Sequence, residues 1–377
     1  MIHRDENHSL KVLLPTLKQG YTSLLASALS RLGNEVAFFN FDSNEFNLSK
    51  VSKAIQAEEV KADVIHLHWA HYHCYADKSI ENFIHRRVRS IWLSIDNLVH
   101  IRKLKNLGCK IVWTVHNSLS HEAKFPLSEY IFRWGLSLLS DDIIVMSHHS
   151  RQKLEATYAR KKRIHVIPHG NFVEIIENSV GRNEARKRLG IPLEHIVLLN
   201  FGLMRRYKGI EDLLDAFQRI IRKDVVLLLA GNCSDRKLKS LIEESARQDD
   251  RIISHLRFIP DGEISVYMNA SDWGIFPFRK VLNSGSVILT LSFARPVIVP
   301  KKGALSEIVQ DDYNGILFDE GEDLASTINR VLSKGIEVNE YFSRNAFSSV
   351  ENYTWEEIGK QHTHVYKLLP YSHKGKQ

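Results

Sequence analysis

Ten residues, "IHLHWAHYHC" (65–74), bring together His66, His68, His71, His73 and Cys74, all side chains able to ligate a metal. A structural zinc site needs four converging N and S ligands at characteristic spacings, and an HxH pair trailed by three loop residues matches none of them, so no metal is expected. Two other uses stay open: contact with a substrate through Trp69 or His71, and packing at a strand end. A second stretch, "VWTVHNSLSHE" (112–122), presents His116, Asn117, His121 and Glu122 just after an apolar run. A carboxylate and imidazoles placed there can accept a proton from an attacking hydroxyl or hydrogen-bond a hydroxylated substrate. The plainer uses are a satisfied structural histidine for His116 and a surface carboxylate for Glu122.

The second half of the chain carries two stretches suited to phosphate. In "FGLMRRYKGIEDLLDAF" (201–217), Gly202 ends an apolar run, and Arg205, Arg206 and Lys208 precede an amphipathic pattern. Helix-start N–H groups and the helix dipole favour an anion, and Gly202 and Gly209 let a bulky one approach the backbone. In "FPFRKVLNSGSVILTLSFARPVIVP" (276–300), Ser284, Gly285 and Ser286 open an apolar helix, where they can cap it or hold a phosphate. Two such loops together point to a diphosphate. No GxG, no GxxxxGK[ST] and no DxD occurs, so dinucleotide, P-loop and metal-bridged diphosphate readings lose their usual support.

Loops of this kind need strands to position them. At 377 residues the chain suggests about two domains, and 44% hydrophobic with 25% charged residues describes a globular protein. Short β-rich apolar runs alternate with amphipathic stretches, the pattern of parallel sheets covered by helices. Six runs fall at 10–15, 35–40, 63–68, 110–115, 142–146 and 164–168, and six more at 195–202, 225–231, 252–259, 272–277, 296–300 and 314–318. "NSVGRNEARKRLG" between the series reads as a loop, a short charged helix and a glycine stop, which places a boundary near 178. In doubly wound sheets the binding residues lie beyond the carboxyl ends of strands, where all four stretches fall.

Charge is unevenly placed. Residues 1–170 hold 23 Lys and Arg against 16 Asp and Glu, and the rest hold 28 against 28, so the net +7 belongs to the first half. That half is expected to meet an anionic partner or to carry a solvated basic face. "HRRVRSIWLSIDNLVHIRKLKNLG" (85–108) adds Trp92 to a basic helix, which suits either an ordinary solvent-exposed helix or binding to an anionic interface. In "FPLSEYIFRWGLSLL" (125–139) the stripe Leu127, Tyr130, Ile131, Trp134 and Leu138 is expected to pack in the core, with a membrane-dipping face as the rival. Three widely spaced cysteines, a charged N-terminus and no apolar run of about 18 residues lead to an expected cytoplasmic location, without export or a spanning helix.

"FGLMRRYKG", "RFIPDGEISVYMNASDWGIFPF", "SGSVILTLSFARPVIVPKKGALSEIV" and "NGILF" resemble the nucleotide-binding half of group 1, family 4-like glycosyltransferases. "HLHWAH", "VWTVHN", "HE" and "VIPHGNF" look like the bacterial exopolysaccharide branch that includes xanthan-type β-mannosyltransferases. The resemblance implies the GT-B fold, an α/β architecture with two Rossmann-like doubly wound domains facing across a cleft. Residues 1–177 would bind the acceptor and 178–353 the nucleotide sugar, with a helix and tail at 354–377 packing back toward the first domain. Arg205, Lys208, Ser284, Gly285 and Ser286 would hold the donor diphosphate, and His116 would face the donor sugar. Gly202, Asn283, Glu307 and His169 would lie near the donor sugar or nucleotide, and Trp69, His71, Asn117 and His121 would contact the acceptor.

Many family members carry two glutamates with seven residues between them after "FP", and Val281 and Leu289 stand at those places here. A retaining mechanism therefore does not carry over, and inversion with Glu122 as general base is preferred. The expected activity is metal- and cofactor-independent hexosyl transfer from a nucleotide-diphosphate sugar, GDP-mannose before a UDP-sugar. The acceptor is a saccharide, expected to be polyprenyl-diphosphate-linked at the inner face of the cell membrane, where the basic half would attach peripherally; nucleic acid is not expected. The rivals are a nucleotide-sugar epimerase of the same fold and a noncatalytic protein binding anionic glycolipid or nucleic acid.

Overall fold

In the computed structural model, residues 9–41, 46–76, 82–117, 125–334 and 337–368 are described. They form two compact units, Met1–Pro168 with Trp355–Gln377, and His169–Thr354. The chain passes between units nine residues before the boundary drawn from sequence. Ile176 is already buried in the second unit's core, with Phe172 and Ile175 packed against the same cluster, so that segment belongs to the second unit.

In the first unit, β1 (Lys11–Leu14), β2 (Glu35–Phe38), β3 (Val64–Leu67), β4 (Lys110–Val115), β5 (Asp142–Val145) and β6 (Ile164–Val166) form one parallel sheet, ordered β2-β1-β3-β4-β5-β6. In the second, β7 (Ile196–Phe201), β8 (Val225–Ala230), β9 (Ile252–His255), β10 (Trp273–Ile275), β11 (Val297–Pro300) and β12 (Gly315–Phe318) run β12-β11-β10-β7-β8-β9. Each of the twelve apolar runs is a strand. Central strands such as β4 and β8 are buried at every position, because helices cover both faces.

The strand order reverses between β1 and β3 in the first sheet and between β7 and β10 in the second. At such a point the flanking connections leave toward opposite faces and open a crevice at the strands' carboxyl ends. The loops after β7 and β10 are the two phosphate-suited stretches; the loop after β3 is the histidine stretch. Helix Arg182–Leu189 and its left-handed Gly190 supply the expected charged helix and stop.

Helix Trp355–Lys367 belongs to the first unit. Its Tyr366 hydroxyl meets His66 Nδ1 at 2.6 Å, and the Lys110 ammonium donates to the carbonyls of Val365 and Leu368 at 2.5 and 2.6 Å. Those carbonyls lie in the last turn of the helix and just beyond it, where backbone acceptors outnumber donors, so the lysine caps the helix end.

One sequence expectation is overturned. In helix Pro126–Leu139 the buried side is Phe132, Arg133 and Leu136 with Ser128 and Glu129, while Leu127, Tyr130, Trp134 and Leu138 are exposed and Ile131 is partly so. The helix is apolar on both sides, so its periodicity marks two faces and does not say which meets the sheet.

Candidate functional site

In the second unit two of the residues singled out from sequence, Lys208 and Ser286, come together at Gly202. Its φ is +107°, a conformation open to glycine, and a Cβ there would lie 2.8 Å from Ser286 Oγ and 3.4 Å from Lys208 Nζ. Backbone, hydroxyl and ammonium thus share one spot just beyond β7. Gly231, not singled out from sequence, makes the approach possible: with φ +143°, its Cβ would fall 2.0 Å from the Gly202 carbonyl oxygen. Its only sequence signal is a glycine closing "VVLLLAG", one of many glycines after strands. Gly231→Ala is expected to destabilise the second unit by about 2 kcal/mol or more, since both the backbone region and the contact are forbidden to a methyl. Urea unfolding measures this, and a loss below about 0.5 kcal/mol would mean the two loops are not packed as described.

Lys208 is buried, and its ammonium is brought down to about 8, by burial first and by the Arg205 charge second. No carboxylate among the described residues compensates it. The neighbouring cations differ: Arg206 is held by Asp235 and Glu211, and Arg279 by Glu211 and Asp212, so these two are committed to the surface network. Arg205 is half-buried, with Nη1 donating to Ser234 Oγ at 2.9 Å.

Ser284 caps helix Gly285–Ser292, its Oγ accepting from the Val287 N–H at 3.3 Å. That side chain is spent on the helix, so the anion-suited groups here are the first-turn N–H groups of Gly285 and Ser286, which have no intrahelical acceptor. His169 stands beside them, its Nε2 3.6 Å from a Cβ built on Gly285. Its Nδ1–H donates to the Gly170 carbonyl at 2.6 Å and burial lowers its pKa, so the ring is neutral with Nε2 as the acceptor nitrogen. Asn283 is half-buried in the same loop. Glu307 is exposed on the short helix Leu305–Ile308, whose approach is tied to that loop by the Ala304 N–H donating to the Leu282 carbonyl at 3.1 Å. Leu289 is buried in the core and Val281 packs against another cluster, so apolar packing occupies the two places that the resemblance sets against the glutamates of many family members.

In the first unit, His116 comes just after β4 and is held from three sides. Trp69 stacks on it at 4.5 Å and 17°, Tyr21 meets it edge-on at 5.0 Å, and its Nε2 lies 3.0 Å from His68 Nδ1. Trp69 has φ +28°, a strained value for a bulky residue, kept while it stacks on the imidazole. Tyr21 opens the helix after β1, and nothing near it in sequence marks it for this role. Asn117 is anchored through its carbonyl, which accepts from Arg133 Nη1 at 2.5 Å. His71 has a buried Nδ1 with no partner, and its pKa is lowered by burial. His121 and Glu122 lie outside the described residues.

Behind His116 the histidine stretch turns inward. His66 and His68 share one face, with ring centroids 4.1 Å apart. Both nitrogens of His66 are engaged, Nδ1 with Tyr366 and Nε2 with Thr114 Oγ1 at 2.7 Å, and His73 Nδ1 meets the Phe46 carbonyl at 3.0 Å. Among the described residues no group of three or more His, Cys, Asp or Glu is disposed to hold a metal.

Burial drives His66 and His68 well below the usual imidazole range, helped by neighbouring histidines, and takes His73 and His362 down to about 4. An unfolded histidine titrates near 6.5, so below that pH the unfolded chain binds protons that the folded one refuses. Stability from these groups is therefore complete above about pH 6.5 and lost as pH falls toward 4. His362 alone accounts for roughly 3 kcal/mol of that loss. Thermal midpoints between pH 7 and 4.5 are expected to fall steeply in wild type and less in His362→Gln; parallel slopes would refute it.

Two family profiles match the chain: Glycosyl transferases group 1 over residues 181–349, and Glycosyltransferase Family 4 over residues 20–171. A GDP-mannose:glycolipid 4-beta-D-mannosyltransferase of Xanthomonas campestris pv. campestris is 25% identical over 305 residues, 81% of this chain and 79% of that protein. Among solved structures, sucrose-phosphate synthase from Thermosynechococcus elongatus superposes with a TM-score of 0.75 at 18% identity, covering 96% of this chain and 98% of that one. Anabaena HepE in complex with UDP-glucose gives 0.73 at 17% identity, covering 96% and 100%.

Proposed function

Because the chain belongs to the group 1, family 4-like glycosyltransferases of GT-B fold, we propose that its second unit binds a nucleotide-diphosphate sugar and its first presents an acceptor hydroxyl to it. The observation that carries the donor half is the uncompensated Lys208 ammonium beside Gly202, Ser286 and the start of helix Gly285–Ser292. A buried cation without a counter-ion is costly, and a diphosphate supplies the missing charge.

In the reaction, the acceptor oxygen bonds to the anomeric carbon as the bond from that carbon to the diphosphate breaks. Glu122 takes the hydroxyl proton. The charge building on the departing nucleoside diphosphate is met by Lys208, Arg205 and the N–H groups of Gly285 and Ser286, already oriented before the reaction. Attack opposite the leaving group inverts the anomeric centre, in keeping with Val281 and Leu289 replacing the carboxylates of many relatives. His116, fixed by Trp69, Tyr21 and His68, faces the donor sugar, while Trp69, His71, Asn117 and His121 contact the acceptor. With these cations supplying the charge, EDTA is expected to leave the rate within about twofold.

GDP-mannose is the first donor to test, since the Xanthomonas relatives are named for it, and a lipid-linked saccharide is the acceptor class. A ligand bound only by the folded protein stabilises it by about 2.7 kcal/mol at a hundred times its Kd. GDP and GDP-mannose are expected to raise the thermal midpoint by several degrees, and UDP to do less. No shift with any nucleoside diphosphate would overturn the donor site. Sugar released as epimer without acceptor would overturn transfer.

A further inference from the structure

Helix Pro126–Leu139 has only two charged residues, and both point inward: Glu129 and Arg133 form a fully buried ion pair at 2.6 Å, with the Tyr75 hydroxyl donating to Glu129. Its outer side, Leu127, Tyr130, Trp134 and Leu138, is 43–50% exposed and carries no charge. The neighbouring helix Phe83–Asn106 runs alongside, with Ser94 Oγ donating to the Ser128 carbonyl at 3.0 Å. Leu98 sits so close over Gly135 that a Cβ there would come within 2.4 Å of it. This second helix exposes Ile84, Val88, Trp92, Ile95 and Val99, 49–69% open to solvent. Intervals of four, four, three and four place them on one stripe, turned away from the sheet. The two helices pack side by side on the same sheet, so their outer stripes form one continuous apolar face.

A solvent-facing helix normally shows polar residues outward, and contiguous apolar patches of this kind mark sites of association. The flanks identify the partner. Arg87, Arg102 and Lys103 are exposed beside the stripe, and the Arg89 guanidinium lies 4.4 Å over the Trp92 ring. The helix has one acid, Asp96, set against His100 at 3.6 Å. Apolar stripes with tryptophan and tyrosine, edged by arginine and lysine, match the boundary between acyl chains and phosphate headgroups. A second copy fits worse, since an isologous contact would bring the same basic flanks together. Among the described residues no helix is long and apolar enough to cross a membrane, so contact through this face is peripheral.

We propose that the outer face of helices Phe83–Asn106 and Pro126–Leu139 docks on an anionic lipid bilayer, its apolar stripes entering the headgroup region and its arginines pairing with lipid phosphates. It rests on the lipid-linked acceptor reading only for its purpose; the surface stands on exposure and charge. The full chain is mixed with vesicles of phosphatidylcholine alone or with about 30 mol % phosphatidylglycerol, without donor or acceptor, and bound protein is sedimented. Wild type is expected to bind the anionic vesicles and to be released by salt. Trp92→Gln with Trp134→Gln, and separately Arg87→Glu with Arg102→Glu, are expected to lower partitioning by about tenfold or more, with unchanged thermal midpoints. Transfer to a soluble acceptor should be unaffected in both variants, which separates failure of docking from failure of the proposed activity. Absence of wild-type binding, equal binding by the tryptophan variant, or a dimer in light scattering that this variant dissolves would each overturn the proposal.

Discussion

Replacing Lys208 by methionine is expected to lower kcat/KM by about 10²–10³-fold while leaving the protein at least as stable as wild type. The two effects share one cause. Burial holds the Lys208 ammonium at about 8, against an ordinary value of 10.5, so keeping it charged near neutrality costs the folded state roughly 3 kcal/mol. Methionine fills a similar volume without that charge and at the same time removes the proposed electrostatic partner of the diphosphate. The pH dependence has a definite sign. Between about 8 and 10.5 the unfolded chain holds the proton that the folded one has lost, so wild-type stability rises over that window and the difference from Lys208→Met narrows. Diphosphate affinity moves the other way, complete below about 8 and falling as the free lysine deprotonates. Calorimetric titration with GDP and thermal melts from pH 7 to 10 read both quantities. A variant that binds GDP as wild type does would remove Lys208 from the donor site.

Glu122→Gln is expected to reduce kcat by about 10²–10⁴-fold with little change in donor affinity, because a general base acts in the transition state and not in nucleotide binding. With Glu122 as the proposed base, its protonation would give the kcat profile an acid limb, and that limb should be absent in the variant. Glutamine keeps the shape and one acceptor oxygen, so loss of acceptor binding alone would appear in KM instead. A wild-type rate in the variant would pass the role to another group of the loop after β4.

The strands were legible because fully buried parallel strands read as unbroken β-branched and aliphatic runs, as "VVLLLA" and "KIVWTV" do. The loops after β7 and β10 were legible as the turns that bring Lys208 and Ser286 beside Gly202, because each follows an apolar strand run and opens a helix; the ligand they hold is the proposal. The scaffold around His116 was not. Tyr366 and His66 are 300 residues apart, and no local pattern links a tyrosine near the end of one helix to a histidine in an early strand. Gly231 escaped notice for a related reason: its constraint comes from the Gly202 carbonyl, a partner brought in by β7. Helix Pro126–Leu139 defeated periodicity from within, because Phe132 and Leu136 form one apolar face and Tyr130 and Trp134 another. Only the buried Glu129–Arg133 pair tells them apart, and a charged pair is ordinarily read as the outer side.

Helix Trp355–Lys367 has a consequence for the order of assembly. The ribosome emits the first unit's six strands, then all of the second unit, and only then the helix whose Tyr366 and His362 close over His66 and Tyr21. The later-made unit is contiguous in the chain and can reach its native state first, while the earlier one waits with its buried imidazoles uncovered. A chain cut short before residue 355 and released would thus have all of its second unit but lack the helix that completes its first.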